Sequence, residues 1–217
     1  MRKALTMGEL LVTMAVIGTI ATLVLPGFLK DYHNKLYVTR LKKVYETLEH
    51  AVNQACVDYS VSSFKNTPYV KNGSNPTTGK LYEQEFINKY FKMSGNQTTM
   101  PFASEYRAIG SSSKQGYGIA TTGHGWGKLA SGEAVSFYCN DSLDTTFCVF
   151  RVDVNSTDGP NIGGRDIFTM YIDRTTNEIY DNFPDGSEDG PDCRTTFDVQ
   201  GNGCFGRLLK DNWEMKY

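Results

Sequence analysis

"LTMGELLVTMAVIGTIATLVLPG", residues 5–27, decides how the rest of the chain is read. It carries one acid, Glu9, at the lip of an otherwise uncharged stretch, and nothing from Leu10 to Leu29 bears a charge. Coiled as a helix, those residues span about 30 Å, the thickness of the hydrocarbon core of a bilayer. A membrane span is the direct expectation. A cleaved secretory signal competes with it, because Met1-Arg2-Lys3 makes a short basic head. Glu9, however, stands where the apolar core of a signal should begin, and no convincing small-x-small cleavage site follows, because the chain runs on through Pro26 and Phe28 into a further helix.

A carboxylate at that depth costs on the order of 2–3 kcal/mol by insertion scales, so it should have a cationic partner. The chain offers none nearby on the same helix face. One arises if the leader is cut just upstream, since the amino group freed on one copy can be neutralised by Glu9 of another. Glu9 then acts as a docking charge in an assembly. Pro26 lacks an amide hydrogen and its ring crowds the Thr22 carbonyl, with Gly27 loosening the next position. A kink or local melting of the helix is expected there.

The segment "KALTMGELLVTMAVIGTIATLVLP", residues 3–26, resembles the N-terminus of type IV pilins and of the pseudopilins of type II secretion systems. Their pattern is a short basic leader, a small residue, a hydrophobic residue, two to three more, Glu, and an apolar helix. The resemblance implies that a prepilin peptidase cuts between Ala4 and Leu5 and methylates the new amino group of Leu5. It also makes Glu9 the assembly glutamate of the pattern and Pro26 its helix-breaking proline. Three positions depart from it: Ala4 replaces the usual glycine, Leu5 the usual phenylalanine, and Met7-Gly8 a more apolar pair.

What the resemblance further implies is an α+β fold, a long N-terminal helix packed on an antiparallel β-sheet. It implies a structural subunit of a type IV filament, a type II secretion pseudopilin ahead of a major or minor type IV pilus subunit, with a DNA-uptake filament still open. Its partners would be other pilin-like subunits in a homo- or hetero-polymer, the prepilin peptidase, the inner membrane and the assembly platform. A membrane-anchored binding module that never polymerises is the other class. An anchored enzyme has no nucleophile, base or cofactor fingerprint to support it.

Beyond the span, Leu36, Leu41, Val44, Tyr45, Leu48, Val52 and Ala55 recur at helical spacing, so one helix can run from about Leu5 to Asp58. The expected division is a leader at 1–4, a membrane or filament-core helix at 5–29, its amphipathic half at 30–58, and a body at 59–217. Residues 60–80 are rich in Ser, Asn, Gly, Thr and Pro and read as a long loop, and a short helix is expected over Leu81–Phe91. Phe150, Val152 and Val154 alternate with Arg151 and Asp153, and Phe168, Met170 and Ile172 with Thr169 and Tyr171. "DRTTNE" turns the chain before Ile179, so an antiparallel meander of three to five strands follows. The end reads as a helical turn and a tail anchored by Trp213 and Tyr217. Residues 148–217 also resemble, more weakly, bacterial pilin-like bodies with an Asp-x-Asn loop, Gly-Pro-Asn, and a closing Cys before a Trp-containing tail.

A formal charge of −2 and a pI near 5.9 supply no basic stripe, so no nucleic-acid partner is predicted. None of the five cysteines has metal-clip spacing. The short gaps in Cys139–Cys148 and Cys193–Cys204 suit local disulfides, which imply an oxidising compartment and put the body outside the cytosol; the resemblance implies that this is the periplasm or cell surface of a bacterium. Cys56 lies on the helical stripe and reads as a buried hydrophobe.

"TTGHGWGKLASG" is not a phosphate loop, because Thr122 and Leu129 occupy the positions that need Gly and Ser or Thr. It reads as a flexible hairpin approach. His33, His50 and His124 lack metal or triad spacing and read as solvent-exposed. One loop, "DVNSTDGPNIGGRD", has ligand density: Asp153, Asn155, Asp158, Asn161 and Asp166 could supply the oxygens that calcium takes. It is no EF-hand, and Asp, Asn and Gly are common turn formers, so a plain loop capping its own backbone is the favoured reading. Calcium binding by major pseudopilins supports the metal by analogy alone. "DNFPDGSEDGPD" reads as solvated loop.

Overall fold

The computed structural model describes residues 6–73, 79–95, 97–116, 124–139, 147–181, 193 and 199–217. By contact the chain divides into two units, with the boundary between Leu36 and Tyr37. The N-terminal unit consists of the first part of helix α1, which runs from Met7 to Asp58. Its apolar side chains are bare, Met7 and Leu23 each 82% exposed. The helix is long and apolar enough to cross a membrane.

Of the kink or local melting expected at Pro26, the melting does not occur, since helical structure continues through it. A proline removes one bond of the ladder, and its neighbours hold. Threonines in this stretch return their hydroxyls to the backbone, Thr22 Oγ1 donating to Thr19 O at 2.9 Å and Thr19 Oγ1 to Val16 O at 2.9 Å.

The second unit, Tyr37–Tyr217, holds the core. The later part of α1 enters it through Tyr37, Val38, Leu41, Val44, Leu48, Ala51, Val52, Ala55 and Cys56, all buried. Leu36 and Tyr45, expected on this stripe, are only partly buried. The acid at the end of the helix, Asp58, is unfavourable against the dipole. Lys89 Nζ offsets it at 2.8 Å, with further bonds from Tyr90 and Gln54, and the Lys89 bond leads in holding its carboxyl down to about 2.

The expected loop at 60–80 contains structure: a 3-10 turn at Phe64–Asn66 and a helix α2 at Pro68–Lys71. Pro68 at the first helical position starts α2, and the fully buried Phe64, Tyr69 and Val70 hold the segment down. Composition suggested a loop because three apolar anchors were outnumbered by polar residues. Helix α3, Gly79–Tyr90, adds Phe86, whose ring lies 4.4 Å from that of Phe137 and 5.3 Å from that of Tyr69.

Two short strands pair antiparallel, β1 (Glu105–Arg107) and β2 (Lys114–Gly116). The main sheet is a meander of β3 (Gly125–Lys128), β4 (Ala134–Cys139), β5 (Phe147–Asp153), β6 (Ile167–Asp173) and β7 (Ile179–Tyr180), each antiparallel to the next. Helix α4, Cys204–Lys210, and a short tail close the chain. Trp213 packs on Tyr45 at 5.4 Å between ring centres, and Tyr217 donates its hydroxyl to Gly164 O at 2.8 Å.

Alternation along β5 and β6 implies one polar face, yet Asp153 and Thr169 are fully buried. Phe102, Tyr106, Ala134, Ile167 and Val199 form a second apolar cluster, which brings chain from outside the sheet to bear on it. Thr169 Oγ1 donates to Gln200 O at 2.7 Å.

Candidate functional site

The start of α1 is a capping box. The Thr6 amide and hydroxyl donate to Glu9 Oε2 at 2.9 and 2.8 Å, and the Glu9 amide returns to Thr6 Oγ1 at 3.3 Å. Such a box satisfies amides that the first helical turn leaves without partners. The acid therefore has a neutral partner within its own chain, the Thr6 amide and hydroxyl, where a cation was expected. The signal was Thr6-Met7-Gly8-Glu9 itself, a Thr-x-x-Glu before an apolar run. Ala4 and Leu5, the expected cleavage and methylation positions, lie outside the described residues.

Both expected cysteine pairs are joined. Cys139 and Cys148 face each other across β4 and β5 with Cα atoms 4.3 Å apart, and Cys193 and Cys204 are 4.7 Å apart. Gly164, with φ of 80°, lies against the second bridge, where any side chain would strike the Cys204 sulfur. Cys56 is reduced and buried, and burial pushes its thiol up.

The loop after β5 gathers four of its five candidate residues and leaves one out. Asp158 is exposed, Asp153 and Asp166 are fully buried, and Asn155 and Asn161 are half-buried. Asp153 accepts the Tyr106 hydroxyl and, at 3.1 Å, the Asn155 amide. Asp166 accepts the amides of Asn161 and Ile162, each at 2.6 Å. The Arg107 amide donates to Asn161 O at 2.9 Å, and Gly163 returns its own to Arg107 O at 2.8 Å. Ser156 Oγ closes the set on Pro101 O at 2.6 Å. The loop thus clasps residues 101–107, and the chain-capping reading of its Asp and Asn residues describes these bonds.

Burial and the facing charge of Asp166 push Asp153 up to about 8, and burial pushes Asp166 up to about 6 against its two amide donors. The side-chain oxygens of Asn155 and Asn161 are buried with no hydrogen-bond partner among the described residues. No group of three or more His, Cys, Asp or Glu is placed there to hold a metal ion. A cation would therefore depend on the asparagine oxygens as well as the two carboxylates.

His33 and His50 are exposed, but His124 departs from its expected place at the surface. Its ring lies 4.4 Å from Tyr138, and Nδ1 is 3.8 Å from Oε2 of Glu83, which is buried while Oε1 accepts the Cys139 amide at 2.9 Å. The backbone explains the approach, since Gly125 brings β3 so close that a Cβ there would meet the Glu83 carbonyl carbon at 2.5 Å. The stretch "DNFPDGSEDGPD" lies outside the described residues after Asp181, which accepts the amides of Gly203 and Gly206 at 3.0 and 2.8 Å.

No protein-family model matches the chain, and neither a curated protein nor a solved structure matches it.

Proposed function

We propose that the chain is a structural subunit of a type IV filament, foremost a pseudopilin of a type II secretion system. A prepilin peptidase trims it between Ala4 and Leu5, and it polymerises through the first half of α1. The observation that carries this reading is the start of that helix, an acid three residues past its cap followed by a long bare apolar stretch. Trimming at Leu5 leaves Thr6 in place, so the cap survives processing. The chain then waits as a single pass in the bacterial inner membrane, its body outside the cytosol where its disulfides persist. Other pilin-like subunits and the assembly platform are its partners.

Co-expression with a prepilin peptidase tests the proposal. Mass spectrometry is expected to find a mature chain beginning with N-methylated Leu5, and electron microscopy to find filaments. A chain that keeps Met1 and stays monomeric in membranes of cells possessing the enzyme overturns it.

The capping box is also the one observation favouring a non-polymerising tether, since it gives Glu9 a task inside its own chain. Glu9→Gln separates the two, because glutamine can fill the same position of a capping box without the charge. A filament subunit loses assembly while still inserting. A tether is unchanged.

Calcium enters the proposal as a ligand of the loop after β5. Asp153, Asn155, Asn161 and Asp166 carry the oxygen chemistry a hard cation takes, and two of these oxygens lack partners among the described residues. Bound calcium would neutralise the two buried acids.

A further inference from the structure

The outer side of β3 is closed along most of its length. Met93 bridges Leu129 in antiparallel register, the Ser94 amide donates to Lys128 O at 2.9 Å, and the Ala130 amide donates to Lys92 O at 2.8 Å. Gln97 accepts the Lys128 amide and donates to its carbonyl at 2.6 Å. Gln84 of α3 does the same at Trp126, accepting the amide at 3.1 Å and donating to the carbonyl at 2.9 Å. Among the described residues these ties end at Trp126, and the chain entering β3 meets α3 through His124 and Gly125. The approach is close, since a Cβ on Gly125 would lie 2.6 Å from the Glu83 carbonyl oxygen.

At this meeting point α3 presents a carboxylate with one oxygen unspent. Glu83 is 1% exposed. Its Oε1 accepts the Cys139 amide at 2.9 Å, while Oε2 faces the imidazole Nδ1 of His124 at 3.8 Å. Both facing atoms are buried, and neither has a hydrogen-bond partner among the described residues. A buried carboxylate satisfied on one side only is unfavourable, and a cation beside it offsets part of that cost. Imidazole is the side chain whose charge ordinarily changes between pH 5 and 8. The His124 side chain keeps 23% of its surface open, so solvent protons reach the ring. From α3, Glu83 is the charged group at that ring. From the sheet the ring meets Tyr138 at 4.4 Å, whose π face favours a cation. Arg151 lies over the tyrosine ring at 5.6 Å and is held by Gln200 Oε1 at 3.1 Å, and Cys139 is bridged and does not titrate.

We propose that Glu83 and His124 are a proton-operated latch, which fastens the start of β3 to α3 when the imidazole is charged and loosens it when the imidazole is neutral. With the proton bound, the imidazolium balances Oε2, and the carboxylate that holds the Cys139 amide is kept in place. With the proton gone, Oε2 faces a neutral ring and the contact weakens, so the latch closes in acid and opens as pH rises. It works within the body and is independent of filament assembly through α1.

The test uses the full chain in detergent micelles and follows hydrogen exchange of the Cys139 amide, which Glu83 holds, at pH 5 and pH 8. Protection is corrected for intrinsic exchange and referred to the Val52 amide in the buried face of α1, which removes any global trend with pH. In the unaltered chain it should fall on the order of tenfold from pH 5 to pH 8, less than a fully buried pair would lose because the imidazole is part-exposed. His124→Gln is neutral throughout and should show the low protection at both values. Glu83→Gln keeps an acceptor for the Cys139 amide without the charge and should abolish the pH dependence. Should that variant fail to fold, His124→Gln decides alone, since its position is part-exposed. Protection in the unaltered chain that is equal at the two values or higher at pH 8, or a pH dependence that survives in His124→Gln, overturns the proposal.

Discussion

Thr6 and Glu9 hold each other: two donors of the threonine converge on one carboxylate oxygen, and the glutamate amide comes back to the threonine hydroxyl. The pair fixes where α1 begins and presents the carboxylate at the end of the helix. Removing the threonine hydroxyl tests the cap separately from the charge. Thr6→Ala should cost about 1 kcal/mol of local helix stability, read as a roughly fivefold faster exchange of the amides at Met7, Gly8 and Glu9 in micelles. Thr6→Ser should leave that exchange unchanged. Equal exchange in both variants would show that the box contributes nothing.

The bridge between Cys139 and Cys148 joins directly opposed residues of β4 and β5. It closes a loop of about ten residues, for which the chain-entropy relation gives roughly 2.5 kcal/mol. Replacing both cysteines by serine should lower the unfolding free energy by about that amount in a urea titration and steepen the slope slightly, because the unfolded chain loses a cross-link and exposes more surface. Reducing agent should then have a smaller effect on the variant than on the unaltered chain, because one bridge remains.

Much of this was legible because it is local. Period-two alternation gave β5 and β6, short gaps gave both bridges, and a 3.6-residue stripe gave the buried face of α1. What the sequence hid depends on distant chain. Asp153 alternates with apolar neighbours and so reads as facing away from the core, yet it is fully buried, with Tyr106 from another element donating to it. Gln84 and Gln97 are ordinary polar residues until α3 and the loop after it arrive beside β3. Thr6 is local to Glu9, but a lone carboxylate beside an apolar run calls for a cation, and a neutral hydroxyl three residues away meets the same need through a helix cap.

Asp153 and Asp166 give stability a pH dependence of known sign. Their folded values, about 8 and about 6, lie above the ordinary 3.8. Between these values the folded chain holds protons that the unfolded chain has released, so stability falls as pH rises. The contribution is fully present below pH 3.8 and is lost through pH 6 and then 8, at most about 1.4 kcal/mol per pH unit per group. Thermal melts in EDTA from pH 5 to pH 8.5 should show a declining Tm. Asp153→Asn, which cannot ionise, should flatten the decline above pH 6. A Tm that rises across this range would show that the two carboxylates are ionised in the folded chain throughout.

Calcium acts on the same two acids with the opposite result. A divalent ion held by Asp153, Asn155, Asn161 and Asp166 offsets the repulsion that ionisation creates and favours the folded state by mass action. At pH 8, calcium at one hundred times its dissociation constant should restore about 2.7 kcal/mol and raise Tm accordingly, while magnesium, which demands a tighter octahedral shell, should do less. Asp153→Asn and Asn161→Ala should each weaken the response, and Asp158→Asn, at the exposed position, should leave it intact. A melting temperature unmoved by calcium between EDTA and the millimolar range removes the ion from this loop and leaves the two acids with the clasp alone.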